Sequence, residues 1–146
     1  MHTILVVEDE KAIQEIIISI LAQNGFAPVA AESVDEALAA LQKHGSFDAI
    51  WLDHYLPGRK LGTDFVAIIK QHPKWKGIPI FVVSNTGGPE KFETYVRLGI
   101  TKYYVKAEHR LKKIVGEIKQ YLLMPPARHP QTPKKISASR RPIQRP

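Results

Sequence analysis

Short apolar runs rich in β-branched residues alternate along residues 1–124 with amphipathic segments of helix length, and this alternation restricts the fold more than any other feature. Strands that alternate with helices favour βαβ units around a mostly parallel sheet covered on both faces. The chain is therefore predicted to be an α/β protein with a single core. The five predicted strands are Thr3–Val7, Ala27–Ala31, Ala49–Leu52, Ile80–Val83 and Lys102–Val105.

The segments between these strands have apolar residues at helical spacing, which predicts five amphipathic helices. Some of them also carry clear start signals. Ser33 and Glu36 have capping-box spacing at the start of the second helix. Either Thr63 or Asp64 is expected to cap the third helix, and Pro89 suits the first turn of the fourth helix.

The length and composition exclude several classes of protein. The chain has 146 residues, which favours one domain, and no cysteine, which excludes disulfide bonds and thiolate metal sites. Its longest strongly apolar stretch, Ile16–Leu21, is far shorter than the roughly 20 residues of a membrane-spanning helix. Glu8, Asp9 and Glu10 lie where a secretory signal would be apolar. We therefore expect a cytoplasmic protein without a transmembrane segment.

The segment 125–146 differs in composition from the rest of the chain. It holds six prolines and six basic residues but no acid, so it carries most of the net charge of +7. Such a segment buries too little apolar surface to offset the entropy cost of ordering it. We predict a folded domain at 1–124 and a disordered tail at 125–146, whose charge favours weak contact with polyanions.

Polar residues follow four of the predicted strands. Glu8 and Asp9 follow the first strand, Asp53 the third, Ser84 the fourth and Lys106 the fifth. Ligands bind at the carboxyl ends of the strands in open α/β sheets, so these side chains are expected to meet at one edge. Three close carboxylates need a cation, and all-oxygen ligation favours Mg²⁺ or Mn²⁺. A hydroxyl and an ammonium group opposite that cation would cradle a phosphoryl group, which indicates phosphoryl transfer.

These motifs, taken together in order and spacing, resemble the receiver domain family of two-component response regulators. The resemblance covers residues 1–124 and implies a flavodoxin-like receiver fold, with five helices around a five-stranded parallel sheet of order 2-1-3-4-5. It also implies a signalling switch that catalyses its own phosphorylation and dephosphorylation, not an enzyme. The segments that carry the resemblance are Ile4–Glu10, Leu52–Gly58, Val82–Asn85 and Tyr104–Lys106.

The resemblance assigns a role to each residue of the predicted metal and phosphorylation site. Asp53 resembles the phosphoacceptor, whose carboxylate attacks a phosphohistidine on a histidine kinase or histidine phosphotransfer protein. Glu8 and Asp9 resemble the acids that bind the metal together with Asp53, and the backbone carbonyl of Tyr55 resembles the main-chain ligand. The expected cofactor is thus Mg²⁺ or Mn²⁺.

The remaining assignments concern the response to phosphorylation. Ser84 resembles the hydroxyl that bonds the acyl phosphate, and Lys106 the cation that pairs with it. Tyr104 resembles the aromatic switch residue that turns inward when Ser84 moves. The face formed by the fourth helix, the fifth strand and the fifth helix is then the expected contact surface for a downstream protein or a homodimer.

Two departures from the family pattern keep other functions open. Ala107 stands where the family usually has proline, and Asn85 where it usually has a small residue, so a non-phosphorylated pseudo-receiver is the first alternative. A small Mg²⁺-dependent phosphatase is the second, although Tyr55 stands where such an enzyme would have another acid. His54 is expected to be an exposed loop residue without a role.

Overall fold

The computed structural model describes residues 1–54, 56, 58, 60–85, 88–106, 110–124 and 134–135. Its strands and helices alternate along the chain as predicted. The strands are β1 (Thr3–Val7), β2 (Ala27–Ala31), β3 (Ala49–Leu52), β4 (Ile80–Ser84), β5 (Lys102–Val105) and β6 (Lys134–Lys135). The helices are α1 (Lys11–Gln23), α2 (Val34–His44), α3 (Gly62–Gln71), α4 (Pro89–Leu98) and α5 (Leu111–Leu123).

All neighbouring strands pair in parallel, in the order β2-β1-β3-β4-β5-β6. The predicted order of the first five strands is therefore confirmed. The chain runs outward from β1 to β2 on one side and from β3 to β5 on the other, so the strand order reverses between β1 and β3. The ends of these two strands lie side by side, since Val7 is in register with Leu52.

The sheet separates two hydrophobic clusters. Side chains of successive strand residues point to opposite faces, so Leu5, Ile50 and Val82 belong to one cluster and Ile4, Trp51 and Phe81 to the other. The first cluster contains residues of α2, α3 and α4, and the second contains residues of α1 and α5. Each helix thus covers a known face of the sheet, and this decides which strand residues it can contact.

The predicted helix starts are correct for α2 and α4. The Ser33 hydroxyl accepts a hydrogen bond from the backbone N–H of Glu36 at 3.1 Å, and Pro89 is the first residue of α4. The predicted cap of α3, Thr63 or Asp64, was wrong, because this helix begins at Gly62 and Leu61 is its N-cap residue. The carboxylate of Asp64 accepts from the N–H of Leu61 at 2.7 Å, so it caps from inside the first turn.

The sixth strand lies in the segment that we predicted to be a disordered tail. Lys134 and Lys135 pair with Lys102 and Tyr103 at the edge of the sheet, which the composition of this segment did not indicate. The other residues of 125–146 lie outside the described part of the chain. Among the described residues, no helix is both long and apolar enough to cross a membrane.

Replacing Ser33 tests the cap of α2. Ser33→Ala removes the hydroxyl that accepts from Glu36, and we expect the free energy of unfolding to fall by about 1 kcal/mol in urea titrations. Ser33→Asp keeps an acceptor at this position and should retain most of the stability. An equal loss in both variants would contradict the capping role.

Candidate functional site

Three carboxylates meet at the carboxyl edge of the sheet, where the strand order reverses. One carboxylate oxygen from each of Glu8, Asp9 and Asp53 lies within 4.8 Å of the others. The backbone hydrogen bonding of the sheet continues one residue beyond β1 and β3. The N–H groups of Glu8 and Asp53 donate to the carbonyl oxygens of Ala31 and Val7, respectively, at 3.0 Å. Backbone pairing thus holds the acids together, and Glu8 and Asp53 are only 2% and 3% exposed.

Lys106 closes this cluster from the end of β5. Its ammonium group donates to Oε1 of Glu8 at 2.9 Å, and both side chains are largely buried. Gln14 of α1 donates from Nε2 to the backbone carbonyl of Glu8 at 2.8 Å. Gln14 was not among the predicted site residues, although a polar residue among the apolar positions of α1 was the available signal. These contacts fix Glu8 and bring Lys106 to the acids across the sheet.

Asp53 lies in an environment that disfavours its charge. Burial raises the pKa of its carboxyl to about 7, and the negative charge of Glu8 acts in the same direction, while Lys106 opposes the shift. Its Oδ1 is buried and has no hydrogen-bond partner among the described residues. A buried oxygen without a partner, in a group of three carboxylates, matches the oxygen ligation that Mg²⁺ and Mn²⁺ prefer. The residues present therefore fit a divalent cation.

Ser84 lies at the end of β4, fully buried. Its Oγ accepts a hydrogen bond from the ammonium group of Lys91, in the first turns of α4, at 3.1 Å. Ser84 lies two residues after Val82 in β4, so its side chain points to the same face of the sheet, the face that α4 covers. The hydroxyl is thus bonded to α4, a helix for which the sequence predicted no contact with the site.

His54 follows Asp53 directly and is buried, so the prediction of an exposed loop residue was wrong. Its Nδ1 lies 2.7 Å from the hydroxyl of Tyr95 in α4, and the two rings meet edge to face. Burial lowers the pKa of the imidazole, with a further contribution from the positive charge of Lys91. Gly62 leaves room for this contact, because an added Cβ there would collide with the Tyr95 hydroxyl.

Tyr104, the expected switch residue, lies on the wrong face of the sheet for that role. It pairs with Val83, not Ser84, and its hydroxyl donates to Oε1 of Glu117 in α5 at 2.9 Å. Burial raises the pKa of this phenol above its ordinary value, which keeps it a neutral donor. The assignment of Tyr104 requires correction, since strand alternation directs it away from Ser84 and α4.

The aromatic residue on the Ser84 face is Tyr103. Its ring centroid lies 5.8 Å from that of Phe92 and 5.8 Å from that of Tyr95, and both of these residues belong to α4. The structure therefore brings together Ser84, Tyr103 and α4 on one face of the sheet. The other predicted positions are less informative: Asn85 is exposed, and Tyr55 and Ala107 lie outside the described residues.

The pKa of Asp53 predicts a pH-dependent stability in metal-free buffer. Between pH 3.8 and about 7 the unfolded chain has lost this proton while the folded protein retains it, so the contribution of Asp53 to stability falls as the pH rises. We expect Asp53→Asn to raise the free energy of unfolding more at pH 8 than at pH 5, measured in urea. Asp48→Asn, at an exposed position, is the control and should give similar changes at both pH values.

Similarity to known proteins supports the same interpretation of the fold. The chain is 36% identical over 116 residues to the phosphate regulon transcriptional regulatory protein PhoB of Klebsiella pneumoniae. This match covers 80% of the chain and 49% of PhoB, so the chain spans about half the length of that relative.

Two solved structures show the similarity in three dimensions. The phosphorylated cyanobacterial phytochrome response regulator RcpA gives a TM-score of 0.75 at 30% identity, over 84% of this chain and 94% of RcpA. The Mn²⁺-bound form of response regulator Rcp1 gives 0.73 at 28% identity, over 84% of this chain and 95% of Rcp1. The family described as response regulator receiver domain matches residues 4–118. With the fold, the order of the strands and this match in agreement, the chain belongs to the response regulator receiver domain family.

Proposed function

We propose that the chain is a phosphoacceptor response regulator, in which Asp53 receives a phosphoryl group from a phosphohistidine. The observation that carries the proposal is the convergence of three carboxylates, a buried hydroxyl and a lysine at the edge where the strand order reverses. Parallel α/β sheets bind ligands at such an edge. The similarity to RcpA, whose solved form is phosphorylated, supports the same chemistry here.

The carboxylate of Asp53 is the proposed nucleophile. One of its oxygens forms a bond to phosphorus while the bond between phosphorus and the donor imidazole breaks, and the imidazole leaves with the electron pair. Lys106 lies near Glu8 in the same cluster and is the proposed partner of a phosphoryl oxygen. The hydroxyl of Ser84 is the proposed donor to another oxygen. Lys106 and Ser84 would bind and orient the phosphoryl group while its negative charge is added to the site.

Glu8, Asp9 and Asp53 are the proposed ligands of Mg²⁺ or Mn²⁺, with the backbone carbonyl of Tyr55 as the main-chain ligand. The ion, when bound, offsets the repulsion among the acids and neutralises charge on the phosphoryl oxygens. A cation would also favour the ionised form of Asp53, whose pKa of about 7 otherwise leaves much of it protonated at neutral pH. The Mn²⁺-bound form of Rcp1 is consistent with this choice of metal.

The proposal extends to partners and organisation. The donor would be a histidine kinase or a histidine phosphotransfer protein, encountered in the cytoplasm, and the receiver at 1–124 would pass the signal to a downstream protein. The face formed by α4, β5 and α5 is the proposed surface for that contact or for a homodimer. The basic residues of 125–146 would add at most a weak attraction to polyanions.

Phosphorylation in vitro tests the central claim. The protein is incubated with Mg²⁺ and acetyl phosphate or a phosphorylated histidine donor, and the intact mass is measured. We expect an increment of one phosphoryl group that depends on the metal and is absent in Asp53→Asn. Asp48→Asn is the matched control and should be phosphorylated normally.

The other outcomes of this experiment separate the alternatives. No increment with any donor would favour a pseudo-receiver that works through protein contacts alone. Catalytic release of phosphate from unrelated esters, lost in Asp53→Asn, would favour a phosphatase.

Tyr103, not Tyr104, is the residue that we propose to link Ser84 to the α4 surface, because its ring contacts Phe92 and Tyr95. Phosphorylation is mimicked with Mg²⁺ and beryllium fluoride, and the backbone amide shifts of α4 are followed by NMR. We expect Tyr103→Leu to reduce the shift changes in α4 strongly. Tyr104→Leu removes a ring of equal size from the α5 side and should leave them largely intact. The reverse result would restore the original assignment of Tyr104.

A further inference from the structure

A lysine that the proposed phosphoryl-transfer site does not yet include lies next to its hydroxyl residue. Lys91 of α4 is partly buried, and its ammonium group donates to Oγ of Ser84 at 3.1 Å. Its charge also acts on His54, which follows Asp53 directly. One turn further along the same helix, Tyr95 bonds His54. Helix α4 therefore contacts the site through two side chains, and one of them carries a positive charge.

The chemistry of this hydrogen bond determines what Ser84 can do. A serine hydroxyl has one donor hydrogen and two acceptor lone pairs, while a lysine ammonium group can only donate. Lys91 must therefore occupy a lone pair of Oγ, and the hydroxyl hydrogen of Ser84 points to an acceptor other than Lys91. A positive donor also polarises the hydroxyl and makes it a better donor in turn. In a phosphorylated site, a phosphoryl oxygen would be such an acceptor for the Ser84 hydroxyl.

The charge balance of the site favours a second cation. Glu8, Asp9 and a phosphorylated Asp53 would carry more negative charge than Lys106 and a divalent ion offset, because a phosphoryl group adds close to two negative charges. Lys106 bonds Glu8, and Lys91 is a second lysine that bonds a residue of this site, namely Ser84. Its charge would reduce the excess that the added phosphoryl group creates.

We propose that Lys91 is a positioning residue of the phosphorylation site, which orients the Ser84 hydroxyl toward the phosphoryl group and adds a second positive charge beside it. This inference rests on the proposed function, since it requires that Asp53 accept a phosphoryl group. Lys91 acts through Ser84 and follows it when Ser84 moves, so phosphorylation pulls on the first turns of α4. The sequence alone gives no sign of this role, because a lysine near the start of a helix is usually a surface residue.

Binding of beryllium fluoride in the presence of Mg²⁺ tests the role of Lys91 without requiring a kinase. Half-saturation is measured by tryptophan fluorescence or by NMR on the full chain. Lys91→Met removes the charge and the donor, and we expect binding about tenfold weaker, the size of effect typical of a charged hydrogen bond. Lys91→Arg keeps both and should recover most of the affinity. Arg97→Met removes a charge from an exposed position of the same helix and should change little.

A double-mutant cycle decides whether Lys91 acts through Ser84. Lys91→Met should weaken binding much less in a Ser84→Ala background than in the original chain, because the hydroxyl that it orients is gone. Additive effects would overturn the positioning role. Unchanged or tighter binding by Lys91→Met, with the fold intact by circular dichroism, would overturn the proposal as a whole, since tighter binding means that Lys91 restrains Ser84 from the phosphoryl group.

The phosphoacceptor function and the role of Lys91 are rejected by different results. A wild-type chain that binds no beryllium fluoride and gains no phosphoryl group would reject the proposed function, and the role of Lys91 with it. A wild-type chain that binds, with Lys91→Met binding equally well, would reject the role of Lys91 alone.

Discussion

The structure depends on one electrostatic constraint, namely that the sheet holds three carboxylates together, and two of them, those of Glu8 and Asp53, are buried. Backbone pairing beyond the ends of β1 and β3 places Glu8 and Asp53 side by side, so their repulsion cannot be relieved by moving apart. Lys106 offsets part of it through a buried ion pair with Glu8. Burial, together with the remaining repulsion from Glu8, raises the pKa of Asp53. Added positive charge would reduce the remaining repulsion in such a group of carboxylates, whatever reaction follows.

The two faces of the sheet give neighbouring residues different surroundings. Tyr103 lies among residues of α4 on the face of Ser84, whereas Tyr104 bonds Glu117 of α5 on the other face. A shift of one residue in a strand reverses the face completely, because side chains alternate. In the proposed switch, a change at Ser84 would reach α4 on the Tyr103 face, while Tyr104 stays bonded to α5 on the other face.

Sequence patterns were sufficient for the elements and for the site acids, and insufficient for contacts that depend on which helix covers which face. Apolar runs identified the five main strands, and their ends identified Glu8, Asp53 and Lys106 because parallel strands share one carboxyl edge. The choice between two adjacent tyrosines needed the tertiary packing. The burial of His54 depends on Tyr95, forty-one residues away in the chain. Pairing of β6 with β5 is equally non-local, and a proline-rich composition argues against it.

Helix α4 is bonded both to Ser84 and to His54, the residue that follows Asp53. Lys91 and Tyr95 are four residues apart, so they lie on the same side of the helix; Lys91 bonds the last residue of β4, and Tyr95 bonds His54, which lies just after β3. A helix held by two polar contacts on one side moves as a unit when either contact changes, since a packed helix does not deform gradually. If Asp53 accepts a phosphoryl group as proposed, the added charge would change the position that the Ser84 hydroxyl favours, and Lys91 would follow it. The first turns of α4 would then shift about the hydrogen bond between His54 and Tyr95, and the exposed side of this helix would present the change to another protein.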